Sequence, residues 1–165
     1  MQTLWKLSQD GNSASRTLDN GSFESRLISA IPATDTILPY IEPLATAQSI
    51  QIALLQSEYH ATVNAPVSFE NSAGVTSTYP AGDTVLLNGQ TAKQVLSDAI
   101  TAGSTAWALG RWIDTAGVAQ VFSYADLLAL AGAMEAVTVS AFQALETKAA
   151  QVQAATTVAA VQLIV

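Results

Sequence analysis

Phe122-Ser123-Tyr124-Ala125-Asp126-Leu127 is the stretch whose reading decides the fold, because it is a complete helix-start instruction ahead of a chain that lacks breakers. Ser123 takes the N-cap position, Asp126 three residues on can answer it as a capping box, and Phe122 can staple onto Leu127. From Tyr124 to Val165 there is no proline and a single glycine, Gly132. The spacing predicts one long helix to the end of the sequence, roughly 50–60 Å at about 1.5 Å per residue. Its inward stripe is read as Leu127, Leu130, Met134, Val137, Ala141, Leu145, Ala149 and Val152, spaced by threes and fours close to the 3.6 period. Leu128, Val139 and Phe142 fall off that stripe. A helix this long outruns a small core, so its far end and its second apolar flank need something else to pack against.

Working backwards, two hairpins alternate with two shorter helices. Thr46 to Val63 reads as a helix with Ile52, Leu55, Tyr59 and Val63 on one face, ended by Asn64-Ala65-Pro66. Val67-Ser68-Phe69-Glu70, a turn at Asn71 to Gly74, and Val75 to Tyr79 make a hairpin, with Val75 and Tyr79 expected to face Val67 and Phe69. Gln90 to Ala102 reads as an amphipathic helix ended by Gly103. A second hairpin is expected from Ala106 to Ile113, a turn at Asp114 to Gly117, and Val118 to Phe122. Trp107 and Trp112 are five apart on its first strand. They face opposite sides if the strand is regular, leaving one indole for an interface or a glycan, or both fill the core if Gly110 makes a bulge.

The fold class is therefore α+β: two β-hairpins alternating with helices, one long C-terminal α-helix, and an extended N-terminal arm. Residues 1–45 form the arm, with short strands around Thr3 to Leu7 and turns at Asp10-Gly11-Asn12 and Asp19-Asn20-Gly21. Pro32, Pro39 and Pro43 follow, and the stretch holds too few large apolar residues for a core of its own. Residues 46–165 form the main domain.

Composition narrows the function. Half the residues are apolar, 12% are charged and 7% are aromatic, so small side chains dominate and few charges remain to cover a surface. The net charge of −7, with Lys6, Arg16, Arg26, Lys93, Arg111 and Lys148 scattered, argues against nucleic acid and anionic membranes. No cysteine is present, which excludes disulfides and thiol chemistry. The amino terminus has no basic-then-apolar secretory pattern, and Ala149 to Val165 is too short and too polar to span a bilayer. His60 is the one histidine and has no acidic residue at i+3 or i+4. Glu135 and Glu146 lie about 16 Å apart along the helix, too far for a glycosidase pair. Neither phosphate-loop pattern nor a nucleophile elbow occurs. No catalytic residue, cofactor or metal site is expected.

Trp112, the Asp114 to Gly117 turn, Val121-Phe122-Ser123-Tyr124-Ala125-Asp126-Leu127-Leu128-Ala129-Leu130-Ala131, Ala141 to Leu145 and Lys148 to Thr157 together resemble a domain of unknown function found at the carboxy terminus of tail-fibre-region proteins of tailed bacteriophages and prophages. The Val67-Ser68-Phe69 to Val75-Thr76 hairpin fits the same domain, and the likeness spans about Ile50 to Ile164. The arm is similar only through Arg16-Thr17-Leu18-Asp19-Asn20-Gly21 to segments of other phage tail proteins. The resemblance implies a place, the virion tail, with the host cytoplasm during assembly, and no enzymatic activity. The partners it implies are other tail or tail-fibre proteins and further copies of the chain. A structural tail protein is the first expectation, a fibre assembly chaperone the second, and a cell-wall or polysaccharide hydrolase a distant third. Interface residues are expected at Trp5, Leu128, Val139, Phe142, Val161, Leu163 and Ile164.

Overall fold

The computed structural model describes residues 4–18, 21–86, 88–107 and 110–165, and it is a mixed α+β structure. Strands β1 (Leu4–Leu7), β2 (Ser13–Thr17), β3 (Phe23–Leu27) and β4 (Thr36–Leu38) form one sheet in the order β3-β2-β1-β4. The pairing is antiparallel except for β1 with β4, which are parallel. An extended segment through Pro39 and Pro43 leads into α1 (Leu44–Asn64). Then come hairpin β5 (Val67–Glu70) and β6 (Thr76–Tyr79), helix α2 (Ala92–Ala106), hairpin β7 (Arg111–Ile113) and β8 (Ala119–Val121), α3 (Tyr124–Ala154) and the short α4 (Val158–Gln162). The Asp19-Asn20 turn expected from sequence lies outside the described residues, as do Thr3, Ala108 and Leu109.

Local chemistry sets these boundaries. α1 ends at Asn64 because Ala65, the residue before Pro66, is extended, as the proline ring disfavours helical backbone in its predecessor. Thr91 caps α2 by accepting from Gln94 N–H, and Gly103 breaks it at φ 81°, ψ 174°, leaving one further turn beyond. Ser123 and Asp126 form the capping box that starts α3. The expected single helix to Val165 is corrected here. α3 ends at Ala154, and Thr157 starts α4 by accepting from Ala160 N–H. The Thr156-Thr157 pair explains the break, since a threonine hydroxyl at an N-cap offers the backbone an alternative to continuing the old helix.

α3 joins two cores. Its first turns pack Leu127 and Leu130 with Tyr79, Leu96, Trp112 and Phe122, between α2 and both hairpins. Its last turns pack Leu145 and Val152 with Ala47, Leu55 and Val161, between α1 and α4. α1 runs antiparallel beside it: Gln48 Nε2 donates to Val152 O, Glu58 pairs with Lys148 Nζ at 3.2 Å, and Tyr59 meets Phe142 edge-on at 6.3 Å. Every residue of the expected inward stripe, from Leu127 to Val152, is buried or half-buried.

The two hairpins share one turn design and clamp each other. In Asn71-Ser72-Ala73-Gly74-Val75, Asn71 Oδ1 accepts from Ala73 and Val75 N–H; in Asp114-Thr115-Ala116-Gly117-Val118, Asp114 Oδ1 accepts from Ala116 and Val118 N–H. Each loop closes on a glycine at positive φ, Gly74 at 74° and Gly117 at 81°. Asn71 Nδ2 then donates to Val121 O at the end of the other hairpin, and Thr115 N–H returns the contact to Thr78 O.

Trp107 departs from the expected strand. It lies in the turn after α2, with its ring centroid 6.1 Å from that of Trp112 and Nε1 donating to Phe122 O, so both indoles belong to the first core. Gly110 lies flat beneath Trp107, and a Cβ there would fall 2.0 Å from the indole Nε1. Gly110→Ala is expected to cost about 1–3 kcal/mol by overpacking, read as a lower thermal midpoint with altered tryptophan fluorescence. Val75, expected to face Val67, is exposed, and Tyr79 alone on β6 is buried.

Candidate interaction surfaces

The N-terminal sheet has two unlike faces. On one, Trp5 is fully buried beneath the Arg16 guanidinium, 4.5 Å from the ring centroid, with Arg26 at 5.8 Å and Asp35 accepting from Nε1 at 2.9 Å. Glu24 bridges both arginines at 2.7 and 2.6 Å, and the hydrogen bond from Arg16, followed in weight by opposing desolvation and then by Arg26, holds its carboxyl below the ordinary range. The sheet thus makes its small core from one indole roofed by ion pairs, and Trp5 has no surface to offer another chain. That corrects its assignment as an interface residue. The physical reason is register: the β1–β2 and β2–β3 pairings put Arg16, Glu24 and Arg26 on the face that Trp5 occupies.

The opposite face carries Leu4, Lys6, Phe23, Leu27 and Leu38 among serines and threonines. Phe23 is 73% exposed and Leu27 63%. Lys6 is the one charge among the described strand residues of that face.

α3 offers the second open surface. Leu128, Gly132, Glu135, Val139, Phe142 and Glu146 follow one another at alternating steps of four and three, the spacing of a seam that packs against a neighbour. Leu128, Val139 and Phe142 are 45%, 47% and 48% exposed, and both glutamates are exposed. Leu163 and Val165 are open at the end of the chain, whereas Ile164 is half-buried against the second core. Val161 is fully buried there between α1 and α3, so its assignment as an interface residue is also corrected: the turn capped by Thr157 rolls it inward.

Chemistry-bearing groups are spread thinly. His60 is exposed, stacks edge-on against Tyr59 at 5.3 Å, and lines a cleft of about 340 Å³ with Asp83, Lys93 and Glu135. Among the described residues no three His, Asp or Glu side chains are grouped as metal ligands. Two strongly engaged carboxylates beside the first core are structural. Asp126 accepts from Ser72 N and Oγ and from Ser123 N and Oγ at 2.7–2.8 Å. Asp114 accepts from Ser77 Oγ and Gln120 Nε2 besides its own turn. Burial, the largest influence on Asp126, pushes its carboxyl up, but the bonds from Ser123 and Ser72 together outweigh it and hold it low. Asp114 is held low first by the Val118 N–H, against desolvation, with help from Ser77, Gln120 and Ala116. Tyr79 is buried between them, its hydroxyl has no hydrogen-bond partner, and burial followed by the two nearby carboxylates raises its pKa.

These shifts set a pH dependence. A carboxyl whose pKa is lower folded than unfolded contributes its stability above the ordinary value near 3.8 and loses it as pH falls through the folded value. The thermal midpoint should be flat between about pH 5 and pH 7 and fall steeply below about pH 4. Asp114→Asn should make that fall shallower, as checked by circular dichroism melts between pH 7 and pH 2.5, scaled to about one unit steps.

No protein-family model matches this chain, and no curated protein and no solved structure matches it. The surfaces themselves carry the functional argument.

Proposed function

We propose that this protein is a non-enzymatic structural component of a phage or prophage tail, at the tail fibre or its attachment, acting through protein-protein interfaces. The observation that carries the reading is the outer stripe of α3: a helix anchored at both ends by its own cores leaves Leu128, Val139 and Phe142 half open along its outer side. An open apolar seam on a rigid element is what a docking partner covers. The resemblance of Val121 to Ala131 and Lys148 to Thr157 to tail-fibre-region domains supplies the place.

α3 is long and apolar enough, by length and composition alone, to cross a membrane. Asp126, Glu135, Glu146 and Lys148 along it, each costly in hydrocarbon, favour a protein neighbour over lipid. A fibre assembly chaperone is the alternative reading, favoured by Leu163 and Val165, which stand exposed at the end of the chain. Quantitative mass spectrometry of purified particles separates the two. Stoichiometric presence supports the structural reading; absence from particles, with failed fibre assembly on deletion, supports the chaperone. Absence with normal fibres would sink both.

A further inference from the structure

The chain carries two open apolar faces of opposite electrostatic character. The sheet's outer face has Leu4, Phe23, Leu27 and Leu38 with Lys6 and, among the described strand residues, no carboxylate. The outer stripe of α3 has Leu128, Val139 and Phe142 with Glu135 and Glu146 and no cation. Their sizes are of the same order. Four strands about 4.8 Å apart and three to five residues long make a patch of about 14 Å by 10–17 Å, and Leu128 to Phe142 spans about 21 Å of helix.

The stripe is ill suited to its own copy. Antiparallel pairing centred between Val139 and Phe142 would set Glu135 against Glu146, and parallel pairing would set each glutamate against itself. Either brings like charges together in a seam that should be dry. The sheet face has the complementary charge, and a helix stripe laid on a sheet face is a standard way to close an apolar layer. The sheet is also suited to reach: its strands touch one another far more than they touch the helices, and an extended segment from Pro39 to Pro43 tethers it.

We propose that the outer face of the N-terminal sheet in one copy covers the outer stripe of α3 in the next copy, with Lys6 meeting the acidic flank of the stripe. The contact is heterologous, so each copy keeps one face of each kind and assembly continues into a ring or a filament. This inference rests on the reading of the protein as one that works through its surfaces, and it names the partner.

Complementation tests it. Val139→Asp with Phe142→Asp spoils the stripe, and Phe23→Asp with Leu27→Asp spoils the sheet face. Sedimentation of the wild type should show mass rising with concentration above 17.1 kDa. Each variant should stay monomeric with wild-type helix content, and an equal mixture of the two should form a heterodimer of twice that mass, because each supplies the face the other lost. A wild type that remains monomeric, a variant that still associates, or a mixture that does not pair would overturn the proposal. If the double variants fail to fold, single charges carry the test. Lys6→Glu should weaken association about tenfold, and Glu135→Lys with Glu146→Lys should restore it. No loss, or no rescue, overturns it equally. A protein stoichiometric in particles yet monomeric in solution would sink this inference and leave the tail reading standing.

Discussion

Trp5→Ala should unfold the N-terminal sheet and leave the helices intact. Trp5 is the one large side chain fully buried in that sheet, and the Arg16 and Arg26 guanidiniums are held over its ring while Glu24 ties them together. Truncating a buried tryptophan costs about 3–5 kcal/mol. A sheet of this size holds only about 2–5 kcal/mol at the usual stability per residue, so the loss exceeds what the unit has. Because the strands bond among themselves, the damage should stop at the linker. Trypsin should then cut rapidly at Lys6, Arg16 and Arg26, leaving a fragment with near wild-type helical signal. Trp5→Phe keeps a ring under the arginines and should be intermediate. Digestion of Trp5→Ala no faster than wild type would show that the ion pairs alone hold the sheet.

The second large effect belongs to Asp126→Ala. The substitution removes the capping box of α3, at about 0.5–2 kcal/mol, and also strands Ser72, whose backbone N–H and hydroxyl both end on this carboxylate. A donor left unsatisfied in a partly buried place costs about 1–3 kcal/mol. The expected sum is a thermal midpoint lower by several degrees, with amide exchange accelerated at Ser72 and Ser123 together. Asp126→Asn should lose less, since one amide oxygen can still accept. Exchange that rises at Ser123 alone would mean the first hairpin's turn is held by Asn71 without help from the helix.

Much of this architecture was legible because it rests on local chemistry. Ser123 with Asp126, Gly103 after an amphipathic run, and Pro66 after Asn64 announce their helix ends from side-chain and backbone preference alone. The inward stripe of α3 likewise follows from helical period. What escaped depended on partners remote in sequence. Nothing local says that Arg16 and Arg26 will roof Trp5, since that needs the register of three strands, so a buried indole read as an interface. Trp107 read as strand because an aromatic among alanines and leucines fits a pleat; its backbone turns because Gly110 lets the indole lie against the chain. Val161 read as free because its cover comes from α1, more than ninety positions earlier. One signal was available and unused. Asn71 and Asp114 each stand three residues before a glycine and four before a valine, and that shared spacing announces two copies of one turn.

The clamp between the hairpins has a consequence for birth order. Asn71 finds its acceptor at Val121, and Gln48 on α1 reaches Val152 and Ala155. As the polypeptide leaves the ribosome, the sheet's neighbours arrive within a few dozen residues of one another and can settle at once. The first hairpin and α1 must instead wait for segments fifty to a hundred residues behind them, with Leu55 and Phe69 unclothed meanwhile. The nascent protein therefore settles its opening sheet early while α1 and the first hairpin wait for the closing helices, and that interval is when a holding chaperone would find most to grip.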